Sequence, residues 1–194
     1  MQTGSCTLSE RVNRAIALHT WSCLHSALAH KPSAYMTLAL AQINPTVGDL
    51  DGNCQRIVSY AEQAADAGAD LVAFPELCLT GYPPQDLLSN TLFIEAVQDA
   101  IAELTAELPP EIGVIVGAPL PNPDPEGRPL YNTALLLERG AAEATVRSKA
   151  LLPTYDVFDE DRHFEPGPTA QVVSWRGKRI GLHVCEDMWN CLPD

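Results

Sequence analysis

Short apolar runs alternate with two longer segments of helical periodicity over the middle of this chain, and that alternation constrains the fold more than any other feature. Residues 38–43, 70–74 and 112–118 are predicted to be buried strands, because each has the length of a strand and ends one or two residues before a proline. Residues 53–67 and 86–108 place apolar side chains at helical spacing, which predicts two helices. Strands that alternate with helices favour a layered α/β architecture around a largely buried sheet.

Further strands are predicted after the second helix. Residues 131–137 and 144–148 flank a turn at Gly140, and residues 172–175 and 179–184 are predicted to form a hairpin. A chain of 194 residues is long enough for one such domain with its own core.

The composition excludes several classes of function. Apolar residues make up 46% of the chain and charged residues 19%, which is typical of a folded domain. The formal net charge of −13 would repel nucleic acid and anionic lipid, so neither is an expected partner. No run approaches ~18 consecutive apolar residues, and we therefore expect no membrane span. The six cysteines lack the spacing of a zinc site or a disulfide framework, which indicates a reducing, cytoplasmic compartment.

Residues 1–35 differ from residues 36–194 in charge, since the first segment is net +2 and the remainder net −15. We expect residues 36–194 to form the domain and residues 1–35 to be a leader outside it. Three interpretations of the leader stay open: a start site assigned too early, a loosely ordered extension, or a signal peptide. Thr20 and Ser22 interrupt the apolar run of the leader, which counts against the signal peptide.

Three polar residues with complementary chemistry, Glu76, Lys149 and Cys185, lie at the ends of predicted strands. Strand ends in an α/β sheet deliver side chains into a shared crevice. A thiol becomes a nucleophile when a base takes its proton. A carboxylate can be that base, and an ammonium can stabilise the oxyanion that forms. Spacing alone leaves a second interpretation open, in which the thiol is a buried apolar residue and the two charged side chains are solvated.

Three segments, in order along the chain, carry a resemblance to one family. They are FPELCLTGY at 74–82, KALLPTYDVFDE at 149–160 and VCEDMW at 184–189. From Met36 onward the chain resembles the nitrilase, or carbon-nitrogen hydrolase, superfamily. The PPQDLL sequence at 83–88 is typical, within that superfamily, of the glutaminase domain of glutamine-dependent NAD(+) synthetases.

The resemblance implies an α/β fold of the nitrilase type, a four-layer αββα sandwich. It also implies an enzyme in which Cys185 is the nucleophile, Glu76 the general base and Lys149 the residue that stabilises the tetrahedral intermediate. In that mechanism the thiol displaces ammonia from the side-chain amide of glutamine, and water then hydrolyses the glutamyl thioester. The ammonia amidates deamido-NAD(+) in a separate synthetase domain.

Further residues carry over from the family by position. Tyr155, Phe158 and Glu186 match places that hold the substrate, and Glu186 is expected to face the α-ammonium of glutamine. Tyr82 matches a tyrosine near the catalytic glutamate. For Glu160 two interpretations stay open, an additional carboxylate at the site or a solvated charge.

Other polar residues have simpler interpretations. Cys78 is expected to pack beneath the Glu76 loop, and His183 to be a structural histidine on a strand. Glu186 and Asp187 are adjacent, and adjacent side chains diverge in a strand, so no metal site is expected.

The resemblance also sets expectations about cofactors and partners. ATP and Mg²⁺ would bind only in the synthetase domain, whose Ser-Gly-Gly-x-Asp-Ser phosphate loop does not occur in this sequence, so no cofactor is expected here. The chain ends nine residues after Cys185, and we expect a C-terminally incomplete sandwich with little or no glutaminase activity on its own. The full-length protein is expected to be a homo-oligomer.

Two other functions stay open. The chain could be a stand-alone nitrilase-family amidase that acts on a small amide or carbamoyl substrate, or an inactive truncated fragment that docks on an intact partner. The PPQDLL segment favours the synthetase branch over the first alternative. Retention of Cys185, Glu76 and Lys149 counts against a fragment that has long decayed, whereas a recent truncation would leave all three in place.

Overall fold

The computed structural model describes residues 16–17, 35–168 and 172–189. The leader predicted at 1–35 therefore lies outside the described residues, except for Ile16–Ala17 and Tyr35. Ile16–Ala17 forms a two-residue strand, β1, which pairs antiparallel with Leu40 and Ala41. The domain boundary near Met36 stays a prediction.

Within the described residues the main sheet has six strands, in the order β1-β2-β3-β4-β5-β6. Its remaining strands are β2 (Leu38–Ala41), β3 (Leu71–Ala73), β4 (Gly113–Pro121), β5 (Leu130–Leu137) and β6 (Thr145–Ser148). Strands β2, β3 and β4 are parallel, whereas β5 is antiparallel to both of its neighbours, β4 and β6. The predicted strands are confirmed, although β4 runs three residues further than expected, because its end pairs with the start of β5.

Two helices, α1 (Leu50–Asp66) and α2 (Thr91–Glu107), cover one face of this sheet. The α1 helix begins where Asp49 accepts a hydrogen bond from the backbone N–H of Gly52. Ile57, Ala61 and Ala64 of α1 are fully buried against the sheet, as the helical spacing predicted. Burial of apolar side chains at this interface stabilises the layer by about 25 cal/mol per Å².

The prediction of one helix over 86–108 is wrong. The segment divides into a short 3₁₀ helix, Gln85–Ser89, and α2, with Asn90 between them. Asn90 has an extended backbone (φ −95°, ψ 107°), and its side chain accepts hydrogen bonds from the N–H groups of Leu92 and Phe93. The asparagine therefore ends the first helix and caps the second.

A hairpin covers part of the other face of the main sheet. Its strands are β7 (Val172–Trp175) and β8 (Lys178–Gly181), joined by Arg176 and Gly177, which both have positive φ. Positive φ at both central residues gives the turn the twist that a tight hairpin needs. Val173 and Trp175 pack on the sheet. The described residues thus form three layers, α-β-β, and the outer helical layer of the predicted four-layer sandwich is not among them.

The predicted strand 179–184 is shorter in the structure, where β8 ends at Gly181. The last three residues leave the hairpin, and the N–H of Val184 bonds to the carboxylate of Asp187 rather than to a neighbouring strand. His183 is therefore exposed outside any strand, which corrects its prediction as a structural histidine on a strand.

Candidate active site

Glu76 lies in a tight turn that follows β3. The next three residues, Leu77, Cys78 and Leu79, are fully buried, so the turn is held against the core while the Glu76 side chain remains 18% exposed. Gly117 of β4 allows this close approach, because a Cβ at that position would lie 2.9 Å from the Glu76 carbonyl carbon. The backbone O of Gly117 also accepts a hydrogen bond from Leu79 N at 3.1 Å. The packing beneath Glu76 therefore fixes where its carboxylate can lie.

Lys149 directly follows β6 and lies beside Asn132 of β5. The antiparallel register that pairs Thr133 with Ser148 continues by one residue, since Lys149 N donates to Asn132 O at 2.8 Å. Lys149 Nζ and Asn132 Nδ2 both donate to the same atom, Glu76 Oε1, each at 2.7 Å. One oxygen of Glu76 is thus occupied by two donors, which leaves Oε2 for other partners.

Glu160 is the second carboxylate bound to Lys149. Its Oε2 accepts from Lys149 Nζ at 2.8 Å, and its Oε1 accepts from the hydroxyl of Tyr82 at 3.1 Å. The segment that carries it is pinned to the sheet, because Phe164 N donates to Glu160 O and Phe164 bridges to Leu130. Glu160 is 6% exposed. The interpretation of Glu160 as a solvated charge is therefore wrong, and its position beside the site is confirmed.

The charges of this cluster stabilise one another. Lys149 is fully buried. Burial would lower the pKa of its ammonium, but the hydrogen bonds and charges of Glu160 and Glu76 outweigh burial and raise that pKa. The pKa of Glu160 is raised, because burial and the charge of Glu76 outweigh the bond from Lys149. Removing either partner of such a buried pair leaves an uncompensated charge.

Cys185 lies at the rim of this cluster and is exposed. It opens the short 3₁₀ helix Cys185–Trp189 and has a left-handed backbone (φ 44°). Cys185 and Glu76 line one cleft of about 300 Å³ between the main sheet and the segment that follows β8. Partial burial and the charge of Glu76 raise the pKa of the Cys185 thiol, whereas Lys149 opposes the rise. The resting thiol is therefore protonated near neutral pH.

The four residues predicted to bind substrate also come together. The hydroxyl of Tyr155 donates to Glu186 Oε2 at 2.9 Å. The ring of Phe158 lies between two tyrosines, 5.6 Å edge-on from Tyr155 and 6.4 Å from Tyr82. Tyr82 in turn bonds to Glu160, so this aromatic group adjoins the charged cluster. Its members remain predicted to bind substrate.

Two polar residues of the site were missed by the sequence interpretation. Asn132 was assigned to a strand and given no role, yet it is 1% exposed and bonds to Glu76. The available signal was the amide of Asn132 within a predicted strand that continues, after Thr133, with apolar residues to Leu137. Asp187 was considered only as a metal ligand, whereas its carboxylate binds three backbone N–H groups.

The remaining predictions concern residues away from the charged cluster. Cys78 is fully buried beneath the Glu76 turn, as predicted, and burial raises the pKa of its thiol to about 12. Within the described ranges, no group of three or more histidine, cysteine, aspartate or glutamate side chains is arranged to hold a metal ion. None of the helices in the described part of the chain is long and apolar enough to cross a membrane.

Comparison with known proteins gives consistent relatives. Among curated proteins, the glutamine-dependent NAD(+) synthetase of Synechocystis sp. is 43% identical over 157 residues, which are 79% of this chain and 28% of that protein. The enzyme of the same name from Thermotoga maritima is 37% identical over 155 residues, 80% of this chain and 26% of that protein. The chain thus spans little more than a quarter of the length of these relatives.

Solved structures agree with the sequence relatives. A glutamine-dependent NAD+ synthetase from Acinetobacter baumannii superposes with a TM-score of 0.70 at 37% identity, covering 79% of this chain and 28% of that one. An amidase from Nesterenkonia sp. superposes with a TM-score of 0.65 at 24% identity, over 80% of this chain and 57% of that one, which supports the fold alone. The sequence profile described as carbon-nitrogen hydrolase matches residues 37–192. With this fold, these relatives and that match, the chain belongs to the carbon-nitrogen hydrolase family.

Proposed function

We propose that this chain is the glutaminase part of a glutamine-dependent NAD(+) synthetase, with Glu76, Lys149 and Cys185 as its catalytic residues. The observation that carries the proposal is a fully buried lysine held between two carboxylates, beside an exposed cysteine. A buried ammonium is costly unless it is paired, so a site of this kind is seldom retained for stability alone. The names of the relatives support glutamine as the substrate.

In the first half of the reaction, the Cys185 sulfur attacks the side-chain amide carbon of glutamine. Because the thiol starts protonated, its proton passes to Glu76 Oε2, the oxygen that Lys149 and Asn132 leave unoccupied. Two of the three protons of the Lys149 ammonium are donated to Glu76 and Glu160, and the third is available for the developing oxyanion. A preorganised donor of this type contributes roughly 3–4 kcal/mol to catalysis.

The tetrahedral intermediate collapses when the C–N bond breaks. The proton held by Glu76 passes to the leaving nitrogen, which departs as ammonia, and a glutamyl thioester with Cys185 remains. Water then attacks the thioester carbon as Glu76 accepts a proton from that water. The C–S bond breaks, the sulfur regains a proton from Glu76, and glutamate leaves, so both residues return to their starting states.

Selection of glutamine is assigned to the aromatic and acidic group beside the cluster. Glu186 supplies a carboxylate for the α-ammonium of the substrate, and its bond to Tyr155 orients it. Phe158 and Tyr82 supply ring surfaces for the aliphatic part of the side chain. A small unsubstituted amide would use neither feature.

The ammonia is consumed elsewhere in the protein of which this chain is part. It attacks an adenylated deamido-NAD(+) in a synthetase domain, and ATP and Mg²⁺ act only there. We place the protein in the cytoplasm and expect it to be a homo-oligomer in its full-length form.

Covalent labelling tests the proposal without requiring turnover. A diazoketone analogue of glutamine should alkylate Cys185 of the purified chain, which intact-mass analysis and peptide mapping detect. Excess glutamine should suppress the labelling, Cys185→Ala should abolish it, and Cys54→Ala, at a half-buried thiol, should not change it. Suppression by propionamide but not by glutamine would support a stand-alone amidase instead. Absence of labelling in folded protein would refute the glutaminase assignment.

A further inference from the structure

The carboxylate of Asp187 joins the two loops that carry the nucleophile and the lysine. Its Oδ1 accepts hydrogen bonds from the backbone N–H groups of Ala150 and Leu151, each at 2.9 Å. Its Oδ2 accepts from the N–H of Val184 at 3.0 Å. Ala150 and Leu151 directly follow Lys149, and Val184 directly precedes Cys185. One side chain thus spans both loops.

Asp187 also closes the turn in which Cys185 is held. Its backbone N–H donates to Val184 O at 3.0 Å, while its side chain accepts from Val184 N. These two bonds enclose Cys185 and Glu186. Cys185 has a φ of 44°, a left-handed conformation that a residue with a Cβ adopts only where the surrounding structure fixes it.

We propose that Asp187 is a positioning residue that sets the placement of the Cys185 thiol relative to Glu76 and Lys149. The inference rests on the proposed function, since that function gives the thiol its role. The carboxylate needs both of its oxygens as acceptors for this, because the N–H groups approach it from two loops. An asparagine offers one acceptor oxygen, and its amide nitrogen would face a backbone N–H from one of those loops.

The consequence of this geometry is an electrostatic coupling between Glu76 and Cys185. With the thiol held in place, the negative charge of Glu76 opposes formation of the thiolate. Replacing Glu76 by glutamine should therefore lower the apparent pKa of Cys185, because the charge that opposes the thiolate is removed. If Asp187 holds the thiol there, replacing Glu76 should shift the pKa of Cys185 less once Asp187 is also changed. The thiol would then lie further from Glu76, and the electrostatic interaction between them weakens with distance.

The test measures the rate at which iodoacetamide alkylates Cys185 as a function of pH, with peptide mapping to isolate that residue. The 194-residue chain is compared with E76Q, D187N and the double variant, and E143Q, at an exposed carboxylate between β5 and β6, serves as the matched control. We expect the shift caused by E76Q to be smaller in the D187N background than in the chain with Asp187 intact. The control should leave the shift unchanged.

Each other result overturns the proposal in a recognisable way. An equal shift in both backgrounds means that Asp187 does not place the thiol. If D187N does not fold, D187E, which keeps the charge but moves it by one methylene, takes its place. Failure of both variants to fold, judged by circular dichroism, would assign Asp187 to fold stability and not to positioning. If E76Q causes no shift even with Asp187 intact, the proposed catalytic pairing itself fails.

Discussion

Replacement of Lys149 by methionine should destabilise the protein more than any exposed substitution. The side chain is fully buried and donates to Glu76 at 2.7 Å and to Glu160 at 2.8 Å. Methionine fills a similar volume, so the main loss is the charge that compensates two carboxylates. Loss of one partner from a buried ion pair costs about 3–5 kcal/mol in the free energy of unfolding.

The loss should depend on pH in a defined direction. The pKa of Glu160 is already raised above 4.5 in the folded protein, and Lys149 is the main group that opposes this rise. Without Lys149 the folded protein binds the Glu160 proton more tightly than the unfolded chain does. The deficit of K149M should therefore be largest above the folded pKa of Glu160 and shrink as the pH falls toward 4.5.

Urea unfolding near pH 8 and near pH 5, followed by tryptophan fluorescence, measures both effects, since Trp175 is only 6% exposed in the folded protein. R139M, at an exposed cation after β5, is the matched control and should cost no more than about 0.5 kcal/mol. The double variant K149M/E160Q, which also removes the buried carboxylate, should recover about 1–3 kcal/mol near pH 8. A K149M deficit under about 1 kcal/mol, or no recovery in the double variant, would refute the assignment of Lys149 as the compensating charge.

Three further outcomes follow from the site. N132L should reduce glutamine-analogue labelling at least about tenfold, because Glu76 loses a donor. Its free energy of unfolding should change by less than about 1 kcal/mol, because the buried, unpaired Oδ1 of Asn132 is removed as well, and urea unfolding checks this. In native protein near pH 8, iodoacetamide should modify Cys185 and not Cys78, because burial raises the pKa of the Cys78 thiol to about 12. Peptide mapping that finds Cys78 modified before Cys185 would contradict the assigned burial. G117A should lower the free energy of unfolding by roughly 1–3 kcal/mol and slow the labelling of Cys185, because a Cβ at this position displaces the Glu76 turn. Unchanged unfolding and unchanged labelling would count against that packing.

Much of the fold follows from local patterns. Runs such as Leu71–Ala73 are short, apolar and bounded by breakers, so their strands were predictable, and α1 was predictable from its apolar spacing and the acidic cap at Asp49. The division of 86–108 was not, because Asn90 interrupts no apolar period and acts only through the backbone conformation it adopts. The early end of β8 was not predictable either, because the N–H of Val184 donates to the side chain of Asp187 three residues further along the chain, and apolar spacing does not show such a bond.

The site was predictable only in part. Glu76, Lys149 and Cys185 stand out because each places a reactive group at the end of a predicted strand, and the family resemblance relates them to one another. The spacing of apolar residues does not predict that Lys149 Nζ lies 2.7 Å from Glu76 Oε1, because the two residues are 73 positions apart in the sequence. Asn132 was missed because the sequence of a strand does not show which of its side chains face a crevice. That becomes clear only from the register with the neighbouring strand.

The long sequence separation of the site contacts has a consequence for the order of events in folding. The bonds from Asn132 to Glu76, from Lys149 to Glu76 and from Tyr82 to Glu160 span 56, 73 and 78 residues. Contacts that close long loops form slowly relative to local helices. Reactivity at Cys185 toward the glutamine analogue should therefore lag behind the recovery of helical circular dichroism during refolding. Reactivity of Cys185 would then report the step in which the distant parts of the chain have come together, which is later than helix formation.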